Sequence, residues 1–172
     1  MDIHQPSVLQ GCSLPVSLLS AIPVFADSLL SVHPESVIVA PDQGAVEKAC
    51  HMADLLKIPL AIMHKQRMAD HSLLFELVSG CVKGKACYLV DDIYDSGRTL
   101  CLAAGFLKQL GACQVEAFVT HGIFSQGSVE RLNRSAISRL TVSNSLPRPD
   151  STSAKIYGVD ISPLLAKALY RS

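Results

Sequence analysis

The sequence predicts an α/β fold, a mostly parallel sheet with helices on both faces, and three observations carry that expectation. Short apolar runs of strand length alternate with segments whose apolar residues recur at helical spacing. The run from Ala86 to Val90 is apolar throughout, as a strand covered on both faces is. Hydrophobic residues make up 49% and aromatics 5% of 172 residues, which suits an aliphatic interior of one sizeable core.

Residues 1–20 read as a loop-rich opening segment, because Pro6, Gly11 and Pro15 interrupt any regular run. Ala21 to Leu30 predicts a short helix, with Pro23 acceptable in its first turn. Val37 to Ala40, between Pro34 and Pro41, predicts a buried strand, with Asp42-Gln43-Gly44 as the loop at its C-terminal end. A helix from about Ala45 to Lys57 places Val46, Ala49, Ala53 and Leu56 on one side. Leu60 to Met63 is the next strand, entered through Pro59. His64 to Asp70 is polar and expected to be mobile, and His71 to Val78 fits either a helix or an edge strand.

Gly80 to Lys85 turns the chain into Ala86 to Val90, expected as the central parallel strand. The following helix carries Leu100, Ala103, Ala104 and Leu107 on one face and is closed by Gly111. Gln114 to Thr120 is a strand ending at His121-Gly122, and Ser128 to Arg134 a short helix. Leu140 to Ser143 and Lys155 to Gly158 are short strands, with a polar surface loop from Pro147 to Ser153 between them. Ser162 as N-cap, with Pro163 at the first helical position, starts a final helix to Tyr170. Neither an internal repeat nor a dividing linker interrupts this order, so 1–172 is expected to be a single domain.

Charge and cysteine content exclude several classes of function. The 15 basic and 15 acidic residues cancel, and no basic stripe suggests a nucleic-acid partner. The six cysteines form no C-x-x-C pair and mostly sit in apolar segments, so buried reduced thiols are expected rather than disulfides or zinc. The first residues have neither a basic nor an apolar leader pattern, and no apolar run is long enough to span a membrane. A cytoplasmic protein is the expectation.

The chemistry concentrates after the central strand. The apolar run is expected to stop at Asp91 and Asp92, and Asp95, Ser96, Gly97 and Thr99 to form a loop. Gly97 lets the backbone curl so that successive N–H groups converge on an anion. Thr99 would open the next helix, whose free N–H groups and dipole favour a phosphate, while the Ser96 and Thr99 hydroxyls add donors. Asp91 and Asp92 repel phosphate but suit the vicinal hydroxyls of a sugar, or Mg2+ held through water. Acid pair and anion nest together point to a phosphorylated sugar. The plainer alternative is an acidic turn in which Ser96 or Thr99 is an ordinary helix N-cap.

The stretch Val90-Asp91-Asp92-Ile93-Tyr94-Asp95-Ser96-Gly97-Arg98-Thr99 resembles the phosphoribosyl-pyrophosphate (PRPP) loop of type I phosphoribosyltransferases and PRPP synthetases. Its flanks are similar to the synthetases in particular: Val39 to Val46, Pro59 to Arg67, Thr120 to Ser125, Val142 to Pro147, and Asp2-Ile3-His4 with Leu9-Gln10-Gly11. The similarity runs nearly end to end but covers only the C-terminal half of that two-domain family. It implies the type I phosphoribosyltransferase-like, Rossmann-like fold and a place in nucleotide biosynthesis.

The resemblance also implies roles. Asp91 and Asp92 would hold the ribose hydroxyls, and Asp95, Ser96, Gly97, Arg98 and Thr99 the 5-phosphate. Lys65 and Arg67 fall on the family's mobile catalytic loop. Asp42 would contact the ribose or a metal, and His4 matches a metal- and ATP-associated histidine. Mg2+ is the implied cofactor. Ribose 5-phosphate or PRPP and, with the missing half, ATP are the implied ligands, in a homo-oligomer or beside a partner synthetase subunit. Four departures weaken the match: Arg98 stands where a small residue is usual, Gln66 replaces a basic residue, His64 an acidic one, and Cys50 a basic residue after Asp42. Two other functions stay open on the sequence: a PRPP-dependent phosphoribosyltransferase, and a non-catalytic sugar-phosphate-binding subunit of a synthetase.

Overall fold

A computed structural model of the chain describes residues 1–4, 6–29, 32–69, 72–148 and 153–170. Seven strands form one sheet: β1 (Ser36–Ala40), β2 (Leu60–Arg67), β3 (Leu73–Ser79), β4 (Ala86–Tyr94), β5 (Gln114–Gly122), β6 (Arg139–Ser143) and β7 (Ile156–Val159). Their spatial order is β3-β2-β1-β4-β5-β6-β7, and every pairing is parallel except β2 with β3. β4 is therefore central, between β1 and β5, as its unbroken apolar run requires.

Among the described residues five α-helices accompany the sheet: α1 (Ile22–Ser28), α2 (Val46–Leu56), α3 (Arg98–Gln109), α4 (Ser128–Arg134) and α5 (Ser162–Leu169). The period of two along β4 divides its side chains between two cores. Ala86, Tyr88 and Val90 pack with α1 and α2 on one face, where Phe25 and Phe118 meet at 5.8 Å. Cys87 and Leu89 pack on the other with Leu100, Ala103, Ala104 and Leu107 of α3, the stripe that helical spacing predicts. Burying such a leucine contributes about 1.5–3 kcal/mol, so the two layers fix the strand ends from both sides.

Several elements differ from the sequence expectation, each for a physical reason. β2 does not end at Met63. It runs through His64, Lys65 and Gln66 to Arg67, because β3 supplies an antiparallel partner for that polar stretch. β3 is thereby the edge strand of the two options open for His71 to Val78; His71 and Asp70 lie outside the described residues. α1 spans Ile22–Ser28, and Leu30 also lies outside them, as do 149–152 of the loop after Pro147. Ser162 is not the cap of α5. The Asp160 carboxylate accepts from both its N–H (2.9 Å) and its hydroxyl (2.7 Å). Only Cys87 and Cys101 are buried; Cys12, Cys50, Cys81 and Cys113 are exposed, and all six are free thiols. Among the described residues no helix is long and apolar enough to cross a membrane.

Candidate functional site

β1 stops at Ala40 while its neighbour β4 continues to Tyr94. From β1 the chain crosses through α2 to β2 on one side; from β4 it crosses through α3 to β5 on the other. The two connections diverge and leave a crevice at the C-terminal strand ends, where ligands bind in open α/β sheets. That crevice is a cleft of about 270 Å³ lined by His4, Asp42, Gly44, Lys65 and every residue from Asp91 to Leu100.

The acid pair lies within β4 rather than after it: Asp91 aligns with Val119 of β5, and Ile93 with His121. The parallel ladder carries the strand through both carboxylates because β5 extends equally far. Alternation then separates their surroundings. Asp92 is buried on the α2 side, where Oδ2 accepts from His4 Nδ1 at 3.0 Å and Lys48 Nζ at 3.4 Å. Burial alone would push the Asp92 carboxyl up, but the His4 hydrogen bond and then the Lys48 charge hold it below the ordinary carboxylate range. Asp91 Oδ1 accepts the Asp92 backbone N–H at 2.8 Å. Burial pushes its carboxyl up to about 7, with the Asp92 and Asp42 charges adding to the rise against that one hydrogen bond. The two adjacent carboxylates are thus shifted in opposite directions.

Asp42 follows β1 and turns the chain into α2 by accepting Gly44 N–H at 3.0 Å. Its other oxygen holds Lys65 Nζ at 2.5 Å, so β2 of the hairpin delivers an ammonium to the cleft wall. Arg67 lies two residues further along β2, exposed and outside the cleft lining.

The loop after β4 is short. Gly97 caps α3 at φ +71°, so the helix opens at Arg98, one residue before the expected Thr99. Ser96 and Gly97 precede the free N–H groups of the first turn, and Ser96 Oγ accepts weakly from Arg98 N–H at 3.4 Å. A Cβ on Gly97 would stand 2.1 Å from the Tyr94 hydroxyl oxygen, so glycine is required by space as well as by φ. Tyr94 Oη donates to the Ser128 carbonyl at 3.1 Å, and its own carbonyl accepts the N–H groups of Ile123 (2.9 Å) and Phe124 (3.2 Å). Arg131 of α4 donates to the Ser96 carbonyl.

All the residues singled out in the sequence except Arg67 therefore meet in one cleft. Sequence reasoning missed Lys48, Tyr94 and Arg131. Lys48 carries a usable signal, a basic residue in the first turns of the helix that follows Asp42; the other two act across the fold. Asp42 and His4 line the same cleft, but each is engaged, with Lys65 and with Asp92 respectively. Among the described residues no three His, Cys, Asp or Glu side chains are grouped to hold a metal ion.

This sheet order with a glycine-capped loop after the central acid pair defines a phosphoribosyltransferase-type domain. The orotate phosphoribosyltransferase of Aeropyrum pernix shares the fold, with a TM-score of 0.56 at 18% identity over 87% of this chain and 75% of that one. The family model described as "Phosphoribosyl synthetase-associated domain" matches residues 75–172, more than half the chain, and the chain belongs to that family. It is 38% identical to ribose-phosphate pyrophosphokinase 1 of Lactococcus lactis, over 99% of this chain and 54% of that protein. Identity to the ribose-phosphate pyrophosphokinase of Bacillus caldolyticus is 36%, over 99% and 55%. The crystal structure of phosphoribosylpyrophosphate synthetase from Mycobacterium smegmatis superposes with a TM-score of 0.85 at 32% identity, over 98% of this chain and 56% of that one. The chain spans about half the length of the two pyrophosphokinases and of the synthetase.

Proposed function

We propose that the cleft binds ribose 5-phosphate or PRPP, and that the domain, when complemented, takes part in transfer of pyrophosphate from ATP to the 1-hydroxyl of ribose 5-phosphate. The observation that carries this reading is one cleft lined by two opposite kinds of group: the carboxylates Asp91 and Asp92, and the loop from Asp95 to Thr99 that runs into the glycine-capped N-terminus of α3. The carboxylates accept from the ribose hydroxyls. The loop and the N-terminus of α3 hold the 5-phosphate, and that remote binding orients the reacting hydroxyl.

Lys65, whose ammonium stands at the cleft wall, and Arg67, exposed two residues further along β2, would meet the charge that develops on the transferring group. Asp42 and Asp91, which line the cleft, would hold Mg2+ through water. That ion would neutralise phosphate charge and template the reactants. ATP binding is weak in this chain alone, because the relatives carry nearly as much chain again and two basic positions are thinned by Gln66 and Cys50. The same observations favour a second reading, a sugar-phosphate-binding subunit working beside a full-length synthetase or in a homo-oligomer.

Calorimetric titration of the purified chain with ribose 5-phosphate tests the site, and binding with preference over ribose is expected. Incubation with Mg2+, ATP and ribose 5-phosphate, following AMP with and without a full-length synthetase, tests the activity. Slow or absent turnover alone is expected. Failure to bind ribose 5-phosphate removes the reading, and turnover alone at the rate of a full-length enzyme removes the need for complementation.

A further inference from the structure

Resting on the sugar-phosphate reading of the cleft, we infer that Arg131 is the positioning residue of the phosphate loop: it turns the peptide between Ser96 and Gly97 so that the Gly97 N–H faces the anion. Arg131 lies on α4, outside the cleft lining, and its guanidinium donates to the Ser96 carbonyl. That peptide is trans, so its carbonyl and its N–H lie in one plane and point in opposite directions. Drawing the carbonyl towards α4 therefore directs the Gly97 N–H away from α4, towards the cleft that Gly97 lines. An anion nest works only when its N–H groups already point at the anion, and glycine is the residue whose flanking peptides turn most freely. The arginine removes that freedom at the position where it would cost the most binding.

The neighbouring contacts leave this as the one adjustable link. Tyr94, the last residue of β4, is fixed at three points on the segment from Ile123 to Ser128, by its carbonyl twice and its hydroxyl once. From Arg98 onward the backbone is helical. Between those anchors stand Asp95, Ser96 and Gly97, and the Ser96 carbonyl is held from α4 by Arg131 alone among the hydrogen bonds of the described residues. A charged donor on a carbonyl is the stronger kind of hydrogen bond, and it also adds positive potential behind the phosphate.

The test compares wild type with Arg131→Met, which keeps the aliphatic stem, and Arg131→Lys, which keeps a charged donor. Ribose 5-phosphate and inorganic phosphate are titrated into each 15N-labelled protein, following the Gly97 amide. Wild type should show a large ligand-induced shift of that amide. Arg131→Met should bind ribose 5-phosphate roughly tenfold or more weakly, with the Gly97 shift lost, and Arg131→Lys should recover part of both. Amides of the β4–β5 ladder should be unmoved in the unliganded variants, which a general loosening of the fold would not allow. Unchanged affinity and an unchanged Gly97 shift in Arg131→Met overturn the inference while leaving the sugar-phosphate site standing. A wild type that ignores ribose 5-phosphate overturns the sugar-phosphate reading itself. Should Arg131→Met fail to fold, Arg131→Lys decides: wild-type affinity and Gly97 shift despite its altered geometry overturn the role, and a partial loss of both supports it.

Discussion

Lys65 on β2 and Asp42, just past the C-terminal end of the neighbouring β1, share a 2.5 Å ion pair at the wall of the cleft. Both side chains keep partial access to water, so the pair adds under about 1 kcal/mol to stability. Its weakness suits a lysine that must exchange partners. Lys65→Ala is expected to leave ribose 5-phosphate affinity and melting temperature near wild type. In the assay complemented by a full-length synthetase, any AMP formed by this chain should fall roughly a hundredfold. Calorimetry and AMP release check the two halves separately.

Gly97→Ala is the sharpest test of the loop. The new Cβ meets both the Tyr94 hydroxyl at 2.1 Å and its ring carbon at 2.3 Å, at a φ that alanine resists. The expected cost is about 1–3 kcal/mol, read as a lower urea midpoint, with loss of ribose 5-phosphate binding. Adding Tyr94→Phe should not restore either, because the ring carbon stays in the way.

Asp91 makes the site sensitive to pH. Its carboxyl is raised from 3.8 to about 7, so between those values the folded chain holds a proton that the unfolded chain has lost. Its contribution is full below pH 4 and is lost as pH rises through about 7. Asp91→Asn should therefore stabilise the protein at pH 8, on the order of a few kcal/mol at most, and change little at pH 4. Asp92 has the opposite sign, because its lowered value makes it stabilising above the ordinary carboxylate range and lost on acidification. Urea melts at several pH values check both. Ribose 5-phosphate affinity should rise as pH passes about 7, where Asp91 gains its full accepting power, and that rise should vanish in Asp91→Asn.

Leu89→Ala and Leu102→Ala separate core from surface. Leu89 is fully buried at the centre of the sheet, while Leu102 on α3 is 44% exposed. The first should cost about 2–5 kcal/mol and the second under about 0.5 kcal/mol, measured by urea denaturation.

What the sequence disclosed follows from where the information is local. β4, α3 and α4 were legible because apolar runs, helical stripes and glycine stops are written in adjacent residues. The acid pair and Gly97 were legible for the same reason. The reach of β2 was not, since His64 to Arg67 lacks strand character and is held only by pairing with Leu73 to Glu76. Lys48 on Asp92, Tyr94 on Ser128 and Arg131 on Ser96 join residues that meet only through the crossovers. The different surroundings of the buried Asp92 and the half-buried Asp91 likewise depend on which sheet face each side chain takes, and that needs the helices in place.

The register of β1 with β4 also governs when the cleft comes into being during folding. Ser36 pairs with Ala86, and β2, β3 and α2 lie in the chain between those strands, so the closing loop is long and its contacts are non-local. Such parallel pairings form late and slowly, because chain entropy is lost before the contacts compensate for it. Asp42 and the acid pair become neighbours only at that step, so a collapsed intermediate lacking it would have the phosphate loop but no sugar pocket. A ligand that needs both should therefore leave the refolding rate unchanged and act on unfolding alone, lengthening the lifetime of the native state.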